Sequence, residues 1–220
     1  MSNQIKHSNL YLAQARSSLN VQDCMAIYDK WAATYNDEVG DKAQEYVAPV
    51  LVAQAAVKSS DNPAKSVILD AGCGTGLVGQ ALAFAGAEVI DGYDLSTAML
   101  MVADRTGVYR SLIQGDLAQR IGKADDTYDI VTCVGTFTSG HVGPVPALRE
   151  FVRITKRKGI VIATVLEEIW VTGGFKAEVD RLRVENLVTV VAQELIDYVK
   201  GHNDRAVLIV LKKIGRAYKP

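Results

Sequence analysis

The sequence predicts an α/β fold with a mostly parallel, seven-stranded β-sheet. Three observations favour this class. Short apolar segments of strand length alternate with amphipathic helical segments after residue 65. A glycine-rich turn joins the first of these strands to the next helix. Two apolar segments near the C-terminus flank the turn sequence GHND and predict an antiparallel hairpin. Strands that alternate with helices pair in parallel, with helices on both faces of the sheet.

Two helical segments are expected before the sheet. Asn20 can cap the first, and apolar side chains recur at helical spacing through VQDCMAIYDKWAATYND, residues 21–37. A second helical pattern covers about residues 45–58 and ends in the loop sequence SSDNP. Residues 1–19 contain no acidic residue and no apolar signal-peptide core. We expect them to form a mobile arm, with a mitochondrial presequence as the alternative.

The alternating pattern then defines the elements of the sheet. SVILD is a short apolar run that ends at glycines, which is typical of a buried strand. Ser96 can cap a helix, and residues 159–165 are rich in the β-branched residues that strands favour. The predicted strands are 66–70, 88–93, 109–114, 128–134, 159–165, 194–199 and 206–212, and the predicted helices are 77–85, 96–104, 146–154 and 175–186.

Composition excludes several classes of protein. Hydrophobic residues make up 49% of the 220 residues, and the net charge of −1 gives no polybasic surface for nucleic acid. No apolar stretch approaches the roughly 20 residues of a membrane span. The three cysteines are widely spaced, so neither a structural zinc site nor any other metal site is expected, and their use suits the cytoplasm. We expect a single domain over 1–220, with the arm at 1–19, a helical lid at 20–60 and the α/β core at 61–220.

The strongest local signal is the turn DAGCGTG at residues 70–76, between a strand and a helix. The turn is consistent with either of two cofactors. GTGLVG at residues 74–79 fits a dinucleotide fingerprint, and Asp94 follows Gly74 at the spacing expected for NAD. Asp70, however, would repel a pyrophosphate and would suit a cationic ligand such as S-adenosylmethionine, which has no phosphate.

Two more features favour S-adenosylmethionine. Asp116 ends the third strand, where its carboxylate could accept a hydrogen bond from an adenine amino group. The chain also looks too short for two nucleotide-binding halves and a substrate domain.

Four motifs carry a family resemblance. DAGCGTG, GYDLS, QGDL and YDIVTCVG are similar to successive motifs of the class I S-adenosylmethionine-dependent methyltransferases, over about residues 65–165. YDKWAATY at 28–35, GVY at 107–109 and residues 135–142 resemble the methyltransferase-like proteins named after the Williams–Beuren region. That family favours a Pro-Gly-Gly turn before the fifth strand, where this chain has KRKG. The resemblance implies a soluble methyltransferase of Rossmann-like fold, with an N-terminal helical lid and a C-terminal hairpin.

The resemblance and the chemistry of the side chains together assign roles in cofactor binding. Asp94 would accept both ribose hydroxyls, because a carboxylate has lone pairs for two such bonds. Leu95 and Met99 would enclose the adenine, although plain core packing explains them equally well. Asp116 with Leu117 would contact the adenine edge. Asp70 would orient the turn or reach the cofactor's ammonium through water. The remaining expected cofactor contacts are Gly72, Gly74, Gly76 and Val134.

The N-terminal aromatic helix has two interpretations. Tyr28, Trp31 and Tyr35 are three and four residues apart, so they share one helix face. That face could close over the cofactor as a lid, which the resemblance favours, or it could dock the helix onto the sheet.

The acceptor side is less specific in sequence. His141 follows the fourth strand and could take a proton from an oxygen, nitrogen or sulfur nucleophile, or it could only form a positioning hydrogen bond. The other residues expected to line the substrate site are Thr136, Phe137, Glu167, Trp170 and Phe175.

The sequence therefore predicts in-line methyl transfer from S-adenosylmethionine to a small nucleophilic molecule, with S-adenosylhomocysteine as the product. No nucleic-acid or membrane partner is expected. An NAD-dependent oxidoreductase and a protein that binds the cofactor without transferring methyl remain the alternatives.

Overall fold

A computed structural model describes residues 46–199 and 204–215, together with Ile27 and Lys30. Seven strands form one sheet. They are β1 (Val67–Ala71), β2 (Val89–Asp94), β3 (Ser111–Gln114), β4 (Tyr128–Phe137), β5 (Thr155–Leu166), β6 (Val188–Val199) and β7 (Asp204–Lys213). The helices, numbered from the first described one, are α1 (Ala48–Lys58), α2 (Leu77–Phe84), α3 (Thr97–Asp104), α4 (Ala147–Ile154), α5 (Glu167–Trp170) and α6 (Phe175–Val184).

The strand order is β3-β2-β1-β4-β5-β7-β6. The first five strands pair in parallel, and β7 is antiparallel to both β5 and β6. This arrangement confirms the predicted mostly parallel seven-stranded sheet with a C-terminal hairpin. Strand order reverses between β1 and β4, so loops leave these neighbours in opposite directions and open a crevice at their carboxyl ends.

The hairpin differs from the prediction in one respect. Strand β6 begins at Val188, not near residue 194, and it forms the sheet edge while β7 is inserted beside β5. The burial patterns explain this order. Strand β7 contains a continuous buried run from Ala206 to Leu211, whereas exposed residues recur along β6. An apolar run buried on both faces belongs inside a sheet, and a strand with exposed side chains can occupy its edge.

Apolar helix faces cover both sides of the sheet. Helices α1 and α2 pack on one side through residues that include Val52, Ala56 and Leu82, while α4 and α6 cover the other with Phe151 and Leu182. Helix α1 was expected within the lid at 20–60. Its buried face, formed by Ala48, Pro49, Val52, Ala53 and Ala56, packs against α2, β4 and β5, so this described part of the segment is a core helix.

A buried carboxylate joins α4 to α6. Glu178 is 1% exposed, and Arg149 Nε lies 2.7 Å from its Oε1 while Arg181 Nη1 lies 3.2 Å from its Oε2.

Removing one partner of a buried ion pair leaves the other charge poorly compensated. We expect Arg149→Met to lower the free energy of unfolding by about 2 kcal/mol, because the exposed Arg181 remains. Urea unfolding would measure this. Arg183→Met, which removes an exposed pair with Asp180, is the control, and equal effects of the two variants would contradict the prediction.

Candidate functional site

A cleft opens at the carboxyl ends of β1 to β4. It encloses about 900 Å³, including its open mouth. The loops after β1, β2 and β3 form one wall, and the end of β4 with the following loop forms the other. The lining residues are Gly72, Gly74, Asp94, Leu95, Ser96, Met99, Gly115, Asp116, Leu117, Ala118, Val134, Gly135, Thr136, Gly140, His141 and Val142.

The glycine turn is the loop after β1 and forms part of the first wall of this cleft. The backbone N–H groups of Gly72 and Cys73 both donate to the Tyr93 carbonyl oxygen, at 2.7 and 3.1 Å, which ties the turn to the end of β2. A Cβ atom at Gly72 would lie 2.0 Å from the Thr136 hydroxyl oxygen, whereas one at Gly74 would meet nothing within 4 Å. Gly72 therefore allows the two walls to meet, and the space at Gly74 leaves the turn's backbone accessible to a ligand.

Asp94, at the end of β2, binds the glycine turn from the cleft side. Its Oδ2 accepts the Gly74 N–H at 2.8 Å, and its Oδ1 accepts the Ser96 N–H at 2.9 Å. Burial raises the pKa of this carboxyl, while these backbone donors lower it. Each carboxylate oxygen has further lone pairs, so Asp94 can also accept hydrogen bonds from ligand hydroxyls.

Asp116 occupies the β3 side of the cleft. Its Oδ1 accepts the Ala118 N–H at 2.7 Å, which fixes the carboxylate just beyond the strand. Leu117 and Met99 are buried nearby and give this end an apolar surface. A planar, apolar group with a polar edge fits such a surface.

The structure brings most of the predicted cofactor residues together. Gly72, Gly74, Asp94, Leu95, Met99, Asp116, Leu117 and Val134 all line the cleft. Gly76 does not, because it caps the N-terminus of α2 behind the turn. The predicted lid residues Tyr28, Trp31 and Tyr35 lie outside the described residues and remain a prediction.

Asp70 is fully buried beneath the turn and does not line the cleft. Its Oδ2 accepts the Tyr109 hydroxyl at 2.7 Å, and its Oδ1 accepts the Thr132 hydroxyl at 3.4 Å. Burial raises its pKa to about 7, and both hydroxyl donors oppose that rise. Any influence of Asp70 on a ligand therefore passes through the turn.

At the β4 end of the cleft, Thr136 and His141 line the wall as expected. His141 Nδ1 is hydrogen-bonded to the Thr138 hydroxyl, and the His141 backbone N–H donates to the Thr138 carbonyl at 3.3 Å. This local turn fixes the orientation of the imidazole ring at the cleft.

Four predicted substrate residues lie elsewhere, which corrects that part of the sequence analysis. Phe137, Trp170 and Phe175 are buried in the core, and the Phe137 and Phe175 ring centroids are 4.8 Å apart. Glu167 is exposed, with Arg205 Nε 4.0 Å from its Oε2. Aromatic residues at strand and helix ends were expected to face the cleft, but the tertiary fold uses them to pack α4 and α6 against the sheet.

Several lining residues and one hydrogen-bond partner of Asp70 were not predicted from the sequence. Ser96 was expected only as a helix cap, and its hydroxyl does accept the Met99 N–H at 3.2 Å. Gly115 follows β3 directly, and a Cβ there would lie 2.0 Å from the Tyr93 hydroxyl oxygen. Tyr109 belonged to a family motif without an assigned role. The remaining missed residues, Ala118, Gly135, Gly140 and Val142, have small or apolar side chains that carry no chemical signal.

Among the described residues, no cluster of three or more His, Cys, Asp or Glu side chains could hold a metal ion. None of the helices in residues 46–199 and 204–215 is long and apolar enough to cross a membrane.

Comparison with known proteins agrees with this geometry. A family model described as a methyltransferase domain matches residues 68–159. Human methyltransferase-like protein 27 is 33% identical over 157 residues, which span 69% of this chain and 62% of that protein. A ubiquinone biosynthesis O-methyltransferase of Aliivibrio fischeri is 33% identical over 104 residues, or 45% of this chain and 43% of the enzyme. The chain thus spans less than two thirds of these curated relatives.

Solved structures share the fold at low sequence identity. The cyclase SpnF superposes with a TM-score of 0.68 and 16% identity, over 90% of this chain and 98% of that one. A chain from the complex between the Haloferax volcanii Trm112 methyltransferase activator and its candidate methyltransferase gives a TM-score of 0.64 and 19% identity, over 86% and 98% of the two chains.

The family model and both curated relatives are methyltransferases, and they confirm the family resemblance of the motifs. Residues 68–159 match a methyltransferase domain, and the chain has the fold of the class I S-adenosylmethionine-dependent methyltransferases.

Proposed function

We propose that the cleft binds S-adenosylmethionine and that the protein transfers its methyl group to a small nucleophilic molecule. One observation carries the cofactor assignment. Two carboxylates, Asp94 and Asp116, and no Lys or Arg are among the described residues that line the cleft. Such a lining suits a cationic cofactor without phosphate and offers no side-chain cation to a pyrophosphate.

Different residues of the cleft bind different parts of the proposed cofactor. Asp94 holds the ribose hydroxyls, Asp116 accepts from the adenine amino group, and the open backbone at Gly74 contacts the methionine part. Leu95, Met99 and Leu117 surround the adenine. The cofactor, when bound, supplies a methyl group activated by its sulfonium charge. In-line transfer requires mainly that the two reactants be held in the correct orientation.

His141 supports the acceptor side of the proposal. It lies at the β4 end of the cleft with Nδ1 hydrogen-bonded to the Thr138 hydroxyl. In the tautomer whose Nδ1–H donates to that hydroxyl oxygen, Nε2 carries the lone pair that would accept a nucleophile's proton. The bond from the nucleophile to the methyl carbon would form as the carbon–sulfur bond broke, and the electron pair of that bond would stay on sulfur. The names of the O-methyltransferase relatives make hydroxyl compounds the first acceptors to screen.

Asp116→Ala separates the two cofactors that the sequence left open. We expect this variant to weaken S-adenosylmethionine and S-adenosylhomocysteine about tenfold, because one hydrogen bond to a charged group is lost. Calorimetric titration of wild type and variant with both ligands and with NAD would measure this, with the exposed Asp61→Ala as the control. Binding of NAD alone by wild type, with no effect of Asp116→Ala, would contradict the proposal.

Methyl transfer needs its own test. Acceptor compounds are incubated with the protein and S-adenosylmethionine, and S-adenosylhomocysteine formation is followed by mass spectrometry. We expect product with a hydroxyl acceptor and loss of that product with Asp94→Asn. Tight cofactor binding with no product across oxygen, nitrogen and sulfur acceptors would favour a non-methylating protein. The cyclase SpnF has the same fold, which makes that alternative concrete.

A further inference from the structure

Tyr109 passes beneath the glycine turn, in a space that glycines leave open. A Cβ atom at Gly79 would lie 2.3 Å from both the ring Cζ and the hydroxyl oxygen of Tyr109. Cβ atoms at Gly76 and Gly92 would lie 3.2 and 3.1 Å from other atoms of the same ring. Gly76 and Gly79 belong to the GTGLVG sequence that resembles a dinucleotide fingerprint. In this fold they make room for a tyrosine ring.

The hydroxyl of that ring reaches a carboxylate that has no contact with the cleft. It donates to Asp70 Oδ2 at 2.7 Å, shorter than the 3.4 Å bond from Thr132 to Oδ1. Asp70 is fully buried two residues before Gly72, which lines the cleft. The Tyr109–Asp70 pair thus supports the turn from below while Asp94 holds it from the cleft side.

Four titratable groups face Asp70, and the helix α2 contributes only the backbone N–H of Gly79. They are Tyr109 before β3, Asp94 at the end of β2, Cys73 in the turn and Cys133 on β4. Burial raises the pKa of Cys133 to about 12 and that of the Cys73 thiol above its usual range, so both thiols stay neutral. Asp94 disfavours a second negative charge at Asp70, and the Tyr109 hydroxyl favours it.

We propose that Tyr109 is a positioning residue for cofactor binding: its hydroxyl favours the ionised form of Asp70 beneath the turn, where the negative charge favours the cationic cofactor. This inference rests on the proposed function, since it requires that S-adenosylmethionine bind above the turn. S-adenosylhomocysteine has no sulfonium charge, so the Asp70 charge affects its binding less.

The test is the pH profile of binding, measured by calorimetry from pH 6 to pH 9 with both ligands. In wild type we expect S-adenosylmethionine affinity to rise about tenfold from pH 6 to pH 8 as Asp70 ionises, and S-adenosylhomocysteine affinity to change less. Tyr109→Phe should move the midpoint of this rise in affinity up by about one pH unit. Its affinity for S-adenosylmethionine should be about fivefold lower than that of wild type at pH 7 and should return to the wild-type value near pH 9. Asp70→Asn should abolish this component of the profile.

Tyr128→Phe is the matched control. Like Tyr109, Tyr128 donates its hydroxyl to a buried aspartate, here Asp91 at 3.0 Å, but neither Tyr128 nor Asp91 lines the cleft. Its profile should keep the wild-type midpoint. Other groups that titrate in this range, including the ligand's own amino group, contribute equally to all variants, so the difference between profiles isolates Asp70.

The outcomes are distinct. Failure of wild type to bind either ligand would overturn both the proposed function and this inference. Wild-type binding with the same midpoint in Tyr109→Phe would overturn the positioning role alone, because a merely structural tyrosine would change thermal stability and leave the midpoint in place. If Tyr109→Phe does not fold, Thr132→Val provides the second test. It removes the longer bond to Asp70 and should shift the midpoint upward by a smaller amount.

Discussion

Asp94→Asn is expected to weaken S-adenosylmethionine binding about 100-fold. The carboxylate accepts the N–H groups of Gly74 and Ser96, so both of its oxygens already face backbone donors. An amide has one acceptor oxygen, and its NH2 group would face one of those donors. A buried donor without a partner costs about 1–3 kcal/mol, and the loss of hydrogen bonds from ribose hydroxyls to a charged group adds to it. A factor of 100 in affinity corresponds to about 2.7 kcal/mol.

Calorimetry at constant pH would measure this effect for both S-adenosylmethionine and S-adenosylhomocysteine, which have the same ribose. Asp104→Asn makes the same chemical change at an exposed position at the end of α3 and should leave both affinities unchanged. If Asp94→Asn binds both ligands like wild type, the ribose is held elsewhere and the assignment of Asp94 is wrong.

The second large effect is a pH dependence of stability that originates at Asp70. Burial raises the pKa of this carboxyl from 3.8 to about 7 in the folded protein. A raised folded pKa means that the stabilising contribution is complete below about pH 4 and is lost as the pH rises toward 7. This rise in pKa corresponds to a loss of about 4 kcal/mol from the free energy of unfolding, and about 3 kcal/mol of that loss falls between pH 5 and pH 8.

Urea unfolding of wild type and Asp70→Asn, without ligand, would reveal this contribution. The neutral amide cannot ionise, so the free energy of unfolding of wild type should fall by about 3 kcal/mol more than that of the variant between pH 5 and pH 8. Taking the difference removes the effect of every other group that titrates in that range. Parallel curves for the two proteins would show that Asp70 does not change its ionisation on folding.

Local sequence was sufficient for the fold because its signals are strong and repeated. Apolar runs such as SVILD, and the glycines that follow, specify a buried strand and a tight turn whatever surrounds them. The same holds for Ser96, whose hydroxyl caps α3 as expected. Residues that end neighbouring parallel strands must meet at one edge of the sheet, so Asp94, Asp116 and the glycine turn could be assigned to one cleft before any coordinates.

Side-chain direction at the ends of elements could not be predicted in the same way. Phe137 and Phe175 were expected beside the substrate, yet both lie in the core, because helix packing on the sheet determines which way the last residue of β4 and the first residue of α6 point. The four-residue helix α5 was also missed, since so short an element has no periodicity to detect. For the same reason Trp170, at its end, was assigned to the cleft and is buried.

The sequence by itself determined the α/β class, the parallel pairing of the first five strands and the two acids that line the cleft, because these follow from local patterns and from the polarity of parallel strands. Only the tertiary structure decided that Asp70 lies beneath the turn, that Tyr109 reaches it from 39 residues away, and that Gly79 serves this contact. Such a contact depends on how β3 pairs with β2, which lies between β3 and β1, and no local pattern encodes the distance between residues on different strands.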